Sequence, residues 1–232
     1  MSDWLTADEW AAVLLSVKVS FWATLISLPF GVAAGWLLSR RRFAGWQLVN
    51  ALIHLPLVLP PVVTGYLLLL VFGRRGIGGR FLEETFGLVL AFRWTGAVLA
   101  AAIMAFPLMV RAVRLGFDAV DRDLEQAAAT LGARPIMVFA TVTLPLILPG
   151  IIVGAVLAFA KAMGEFGATI TFVANIPGQT QTLPTAIFAL LQVPGQDAAA
   201  LRLVVISLVI AIGALIASEV LARAVQRRIG GM

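Results

Sequence analysis

Five stretches of this chain, at about 13–38, 49–72, 94–113, 146–166 and 200–222, each hold enough consecutive apolar residues to cross a bilayer. In lipid the backbone must satisfy its own hydrogen bonds, so such runs are restricted to helices. Two further apolar stretches, 81–92 and 183–193, are too short to cross. Each is expected either at the interface or re-entering the membrane, or as an aqueous loop. Charge agrees with this reading. Only 12% of the residues are charged and 61% are hydrophobic, where a soluble domain has about a quarter charged. Lipid must therefore be the solvent for most of the surface. The expected fold class is an all-α, polytopic transmembrane helical bundle of about five spans, one domain over residues 1–232 with no soluble domain attached.

The positions of arginine orient the bundle. Arg40, Arg41 and Arg42 follow the first span, Arg111, Arg114, Arg122 and Arg134 follow the third, and Arg223, Arg227 and Arg228 follow the fifth. The opposite side carries Arg74, Arg75, Arg80, Arg93 and Arg202, half as many. The richer side is expected to be cytoplasmic, which puts the N-terminus outside and the C-terminus inside. The net charge of +5 is thus mostly topogenic, and nucleic acid is not an expected partner. The acidic start M-S-D-W-L-T-A-D-E-W does not look like a cleavable signal.

Several chemistries are closed to this chain. It has no cysteine and a single histidine, His54, so no thiolate or histidine metal cluster can be built. His54 is expected to be structural. G-R-R-G-I-G-G-R at 73–80 lacks the Lys-Ser/Thr of a phosphate loop, so nucleotide hydrolysis by this chain is not expected. No catalytic or metal-binding residue is predicted.

Between the third and fourth spans lies the one strongly charged segment, residues 118–150. Asp121 can cap a first short helix, with Asp123 and Glu125 near its positive end. Gly132 suits a left-handed helix end, and Pro135 suits the first turn of a second helix. That second helix is expected to stop near Leu144-Pro145.

The second span contains Pro56, Pro60 and Pro61, so it should be kinked or broken. The break, with Thr64 and Gly65 beside it, is either part of a pathway wall or a packing kink. In the fourth span, Lys161 and Glu165 are one turn apart on one face. They either line or gate an exit path, together with Gly167 and Thr169, or neutralise each other to fix packing. Lys18 is expected to snorkel. The segment 164–184, rich in Thr, Gly and Asn, could offer neutral donors to an oxyanion.

The charged segment resembles the EAA loop of permease subunits of ABC importers. Ala127-Ala128, Gly132 and Val142-Thr143-Leu144-Pro145 fall at the family spacings, with Gln126 at the family's glutamate position and Glu125 one residue earlier. L-P-L-V-L-P-P-V-V-T-G-Y, M-A-F-P-L-M-V-R-A-V and G-E-F-G-A-T-I-T-F-V-A-N-I-P-G-Q-T-Q-T-L-P are similar to molybdate-importer permeases, with sulfate permeases as cousins. The resemblance implies a type I ABC importer permease of the bacterial inner membrane. It implies a homodimer with two cytoplasmic ATPase subunits and a periplasmic molybdate-binding protein. It implies ATPase coupling through Glu125, Gln126, Ala127, Ala128, Gly132, Leu144 and Pro145, with ATP used by the partner and no cofactor on this chain. Glu125 is the expected polar contact to the ATPase. A sulfate, thiosulfate or tungstate permease is the alternative within transport, and a passive anion channel the alternative outside it.

Overall fold

The computed structural model describes residues 4–229, apart from the side chains of Ser218 and 224–229. Arg227 and Arg228, two of the topogenic arginines, fall among those side chains and lie outside the described residues. Everything regular is helical: α1 Ala7–Arg40, α2 Trp46–Val58, α3 Pro61–Phe72, α4 Ile77–Phe86, α5 Trp94–Asp118, α6 Arg122–Thr130, α7 Pro135–Val138, a π-helical turn Phe139–Thr143, α8 Leu144–Met163, α9 Gly167–Val173, α10 Leu183–Leu191 and α11 Asp197–Ile229.

Four helical segments are long and apolar enough to cross a membrane singly, and the bent pair α2–α3 makes a fifth. Connectivity supports counting that pair as a crossing. At its start, Trp46 donates its indole N–H to the Leu38 carbonyl and lies under the Arg114 guanidinium. Beyond its end, Trp94 lies beneath the Lys18 ammonium at the opposite end of α1. The chain therefore changes ends between residues 46 and 94. Lys18 is exposed, and its ammonium rests over the Trp94 indole face.

α1 starts at Ala7, earlier than hydropathy suggests, because Thr6 and Glu9 form a reciprocal capping box. Glu9 also accepts from Arg202 at 2.9 Å, tying the start of α1 to α11. At the centre stands α5, clad by α1 on one side and α8 on another. Its buried residues include the small Gly96, Ala97, Ala100, Ala101, Ala105 and Ala112, so neighbouring backbones approach closely there. One close approach between α5 and α8 is Gly116 against Gly150, where a Cβ on Gly150 would sit 3.1 Å from the Gly116 Cα.

The second half of the charged segment departs from expectation. The helix that begins at Pro135 does not stop at Leu144-Pro145. It continues through the π turn and α8 to Met163, as a 29-residue span. The wide turn explains this: the Leu144 N–H bonds back to the Phe139 carbonyl, five residues earlier. A widened turn shifts the carbonyl that a proline ring would strike and relaxes the ladder where Pro145 brings no donor. Proline is not an absolute stop in this bundle, since α1, α5 and α8 also run through Pro29, Pro107 and Pro149.

The short apolar stretches also resolve. Residues 77–86 form α4, which exposes Phe81 and Phe86, and 87–93 is irregular. Residues 183–191 form α10, whose Leu183, Thr185 and Ala186 are buried against α1 and α11.

Candidate functional site

The coupling candidates gather at one end of the bundle. Asp121 caps α6, accepting from the Asp123 N–H at 2.9 Å. Gly132 takes φ +88°, a left-handed conformation that strains any residue with a Cβ. Pro135 then opens α7. Gln126 and Ala127 are exposed and Ala128 is half-buried, and next to them Leu124 and Leu131 project into solvent. Exposed leucines on a short, otherwise polar helix give that face the character of a docking surface. Leu144 and Pro145 lie at the start of α8, half-buried.

Glu125 does not join that outward face. One of its oxygens, Oε1, accepts from Arg40 Nη2 at 3.0 Å and from the Thr143 hydroxyl at 2.7 Å. Arg40 is the last residue of α1 and Thr143 the last of the π turn. Nearby, the Ser39 hydroxyl donates to Asp118, which also pairs with Arg114 at 3.6 Å. The end of α1 is thus held to α5 and α6 at two adjacent points. Sequence reasoning missed Arg40 as a partner, because an arginine after a span already has a topogenic explanation. A groove of about 820 Å³ opens beside the cluster, between α1 and the α6–α7 corner, with Trp36, Arg40, Glu125 and Phe139 among its walls.

The pathway candidates form one corner near the other end. α2 and α3 meet at Pro60 with a turn of 114°, so the second span is broken rather than kinked. Pro60 and Pro61 are exposed at the break, but Thr64 and Gly65 are buried. A Cβ on Gly65 would lie 2.6 Å from the Ala168 carbonyl oxygen, and one on Gly167 would lie 2.7 Å from Pro61 Cβ. The break is therefore locked onto α9, with Thr169 also buried. The Thr64 hydroxyl is buried without a hydrogen-bond partner. Glu165 completes the corner. Its Oε2 accepts from Lys161 at 2.9 Å and its Oε1 from the Ala168 N–H at 3.0 Å. The Glu165 side chain is 2% exposed and that of Lys161 is 31% exposed.

The threonine-rich segment 164–184 uses its hydroxyls internally. Thr180 accepts from the Ile176 N–H, and Thr185 accepts from the Thr182 N–H while donating to the Thr182 carbonyl. These buried threonines fold the segment rather than display donors to an anion. His54 bonds through Nδ1 to the Asn50 carbonyl one turn back, a structural contact.

Comparisons agree with this architecture. Residues 27–230 match the family described as the binding-protein-dependent transport system inner membrane component. The chain is 60% identical over 226 residues to the molybdenum transport system permease protein ModB of Escherichia coli, covering 97% of this chain and 99% of that one. It is 50% identical to the ModB of Haemophilus influenzae, covering 96% and 97%. The sulfate transport system permease protein CysT of Salmonella typhimurium is more distant, 36% identical over 78% of this chain and 65% of that one. The fold is shared with solved ABC importers. The MetNI methionine transporter in inward-facing form gives a TM-score of 0.69 over 94% of each chain at 17% identity. An importer of the acidic polysaccharide alginate gives 0.74 over 94% of this chain and 80% of that one at 16% identity. By sequence over nearly its whole length and by fold, this multi-pass membrane protein belongs to the binding-protein-dependent transport system inner membrane components, among the permease subunits of ABC importers and not the enzymes that power them.

Proposed function

We propose that this chain is the permease through which an ATP-driven importer moves molybdate across the inner membrane. The observation that carries the substrate is the near full-length identity to molybdenum transport permeases, well above that to the sulfate permease. The whole chain acts as one transmembrane domain, with its N-terminus outside and its C-terminus in the cytoplasm. That orientation rests on the two-to-one arginine bias toward the end bearing residues 118–150. Two copies enclose the path, two cytoplasmic ATPase subunits hydrolyse ATP, and a periplasmic molybdate-binding protein delivers the anion. The chain itself holds no cofactor, sits in membrane lipid and takes no nucleic acid.

The outward face of α6, with Gln126, Ala127, Leu124 and Leu131, seats in the ATPase, and Ala128, Gly132, Leu144 and Pro145 shape the segment that carries it. ATP binding drives transport by favouring one arrangement of the dimer over the other. The corner of Pro60, Pro61, Thr64, Gly65, Lys161, Glu165, Gly167 and Thr169 is the part of the path wall that must move, since a broken helix locked to a neighbour changes aperture as the neighbour tilts.

The test is uptake of labelled molybdate into proteoliposomes holding the permease, its ATPase and the binding protein. Uptake should require ATP, and unlabelled molybdate should compete better than sulfate. Sulfate competing equally would move the chain to the sulfate permeases, and anion flux without ATP would make it a channel. Gly132→Asp should abolish uptake at an unchanged membrane level. Surviving uptake with normal ATPase association would remove the coupling role from this segment.

A further inference from the structure

Among the described residues, the side chains of α6 reach another element by hydrogen bond only through Glu125. The backbone joins α6 to α5 and to α7 through short linkers, and the second includes the left-handed Gly132. A displacement imposed on α6 could be absorbed by rotation at those linkers. A second attachment would prevent that, and the Glu125 carboxylate is placed to be one. Its Oε1 receives Arg40, from the end of α1, and Thr143, from the π turn that feeds α8. Both partners are shielded: the Arg40 side chain is 11% exposed, and Thr143 is buried. A charge-assisted bond in such a setting is stronger than an exposed ion pair.

We infer that Glu125 is a positioning residue that ties the coupling helix to α1 and α8 through Arg40 and Thr143, so that movement of α6 reaches both spans. This rests on the coupling role proposed above and changes what Glu125 does within it. The residue faces its own chain, leaving the exposed Gln126 and its neighbours to meet the ATPase. From Thr143 the movement has a continuous route. α8 runs unbroken to Met163, Glu165 just beyond it holds the Ala168 N–H of α9, and Ala168 abuts Gly65 at the broken span. A tie at one end of α8 is thereby linked to the break near the other.

The experiment reads molybdate imported per ATP hydrolysed by the complete transporter in proteoliposomes, alongside co-purification of the ATPase. A merely structural residue would lower transport and hydrolysis together, leaving the ratio unchanged. Glu125→Gln and Arg40→Gln should each lower the ratio about tenfold, the scale of losing one hydrogen bond to a charged group. The double variant should lower it no further, because the two residues act as one unit. Thr143→Val, which leaves the ion pair intact, should lower the ratio less and serves if Glu125→Gln reduces the membrane level. Additive losses, or an unchanged ratio, would overturn the tie. Loss of ATPase co-purification in Glu125→Gln would show instead that Glu125 contacts the partner. If Gly132→Asp left uptake and co-purification intact, the coupling role would fail, and the tie would fail with it.

Discussion

Two carboxylates in this bundle make the same number of contacts to opposite ends. Glu125 and Glu165 each meet one cation and one further donor. Glu165 lies in the connection between α8 and α9, and its partners come from the helices on either side, four and three residues away. Those of Glu125 lie 85 and 18 residues away, on different helices. A local pair shapes a corner and needs nothing else to be in place. A long-range pair forms only when three elements are assembled, and it can pass movement between them. The contrast in exposure follows: Glu165 is sealed at 2%, whereas the Glu125 side chain keeps 24% of its surface at the coupling end.

Stability should therefore respond more at Glu165. Glu165→Ala leaves the part-exposed Lys161 without its partner and orphans the Ala168 N–H, costing about 3 kcal/mol. A fall in the thermal midpoint of the detergent-purified protein would show it. Stability left intact with transport lost would make the pair a gate and break the comparison. Gly65→Ala should come next, because its Cβ must push the Ala168 carbonyl away, at about 1–3 kcal/mol. Uptake should fall beyond the loss of protein, since the change lands where α3 meets α9. Glu125→Ala should cost about 1–2 kcal/mol by the same thermal measurement, less than Glu165→Ala, since the Glu125 carboxylate keeps a quarter of its surface in water whereas that of Glu165 is sealed. The smallest effect belongs to Arg114→Gln, which removes a half-exposed pair 3.6 Å long and should cost under ~1 kcal/mol. A larger loss there would mean that the Asp118–Ser39 contact, or the packing of Trp46 under the guanidinium, depends on the arginine.

What could be read from the sequence divides along the same line. Asp121, Gly132 and Pro135 were legible because caps and left-handed ends depend on neighbours within a turn. The broken second span was legible because adjacent prolines cannot continue a ladder. The early start of α1 carried a readable signal, Thr6 followed by Glu9 at capping-box spacing, which hydropathy conceals. The continuation past Pro145 was not legible, because the π turn that permits it has no residue signature of its own. Nor was the inward turn of Glu125, since Arg40 arrives from a helix 85 residues away. Thr180 and Thr185 showed their hydroxyls but not that the neighbouring backbone would engage them, as donor to Thr180 and as both donor and acceptor to Thr185.

The five-residue turn at Phe139–Thr143 has one more consequence. An α-helix rotates by about 100° for every residue added, so a locally widened turn works as a phase shifter. It sets the angular register between the coupling segment and everything after it. In the observed phase Thr143 faces Glu125, while Ile147, Ile151 and Gly154 are buried in the packed side of the span. Deleting one residue within the turn would rotate the 20 residues of α8 by about 100° against α6 and carry the buried Gly154 and Ala158 into the positions now held by the exposed Val153 and Leu157. The helix α6 and the span α8 could each survive such a change intact and still no longer be in step.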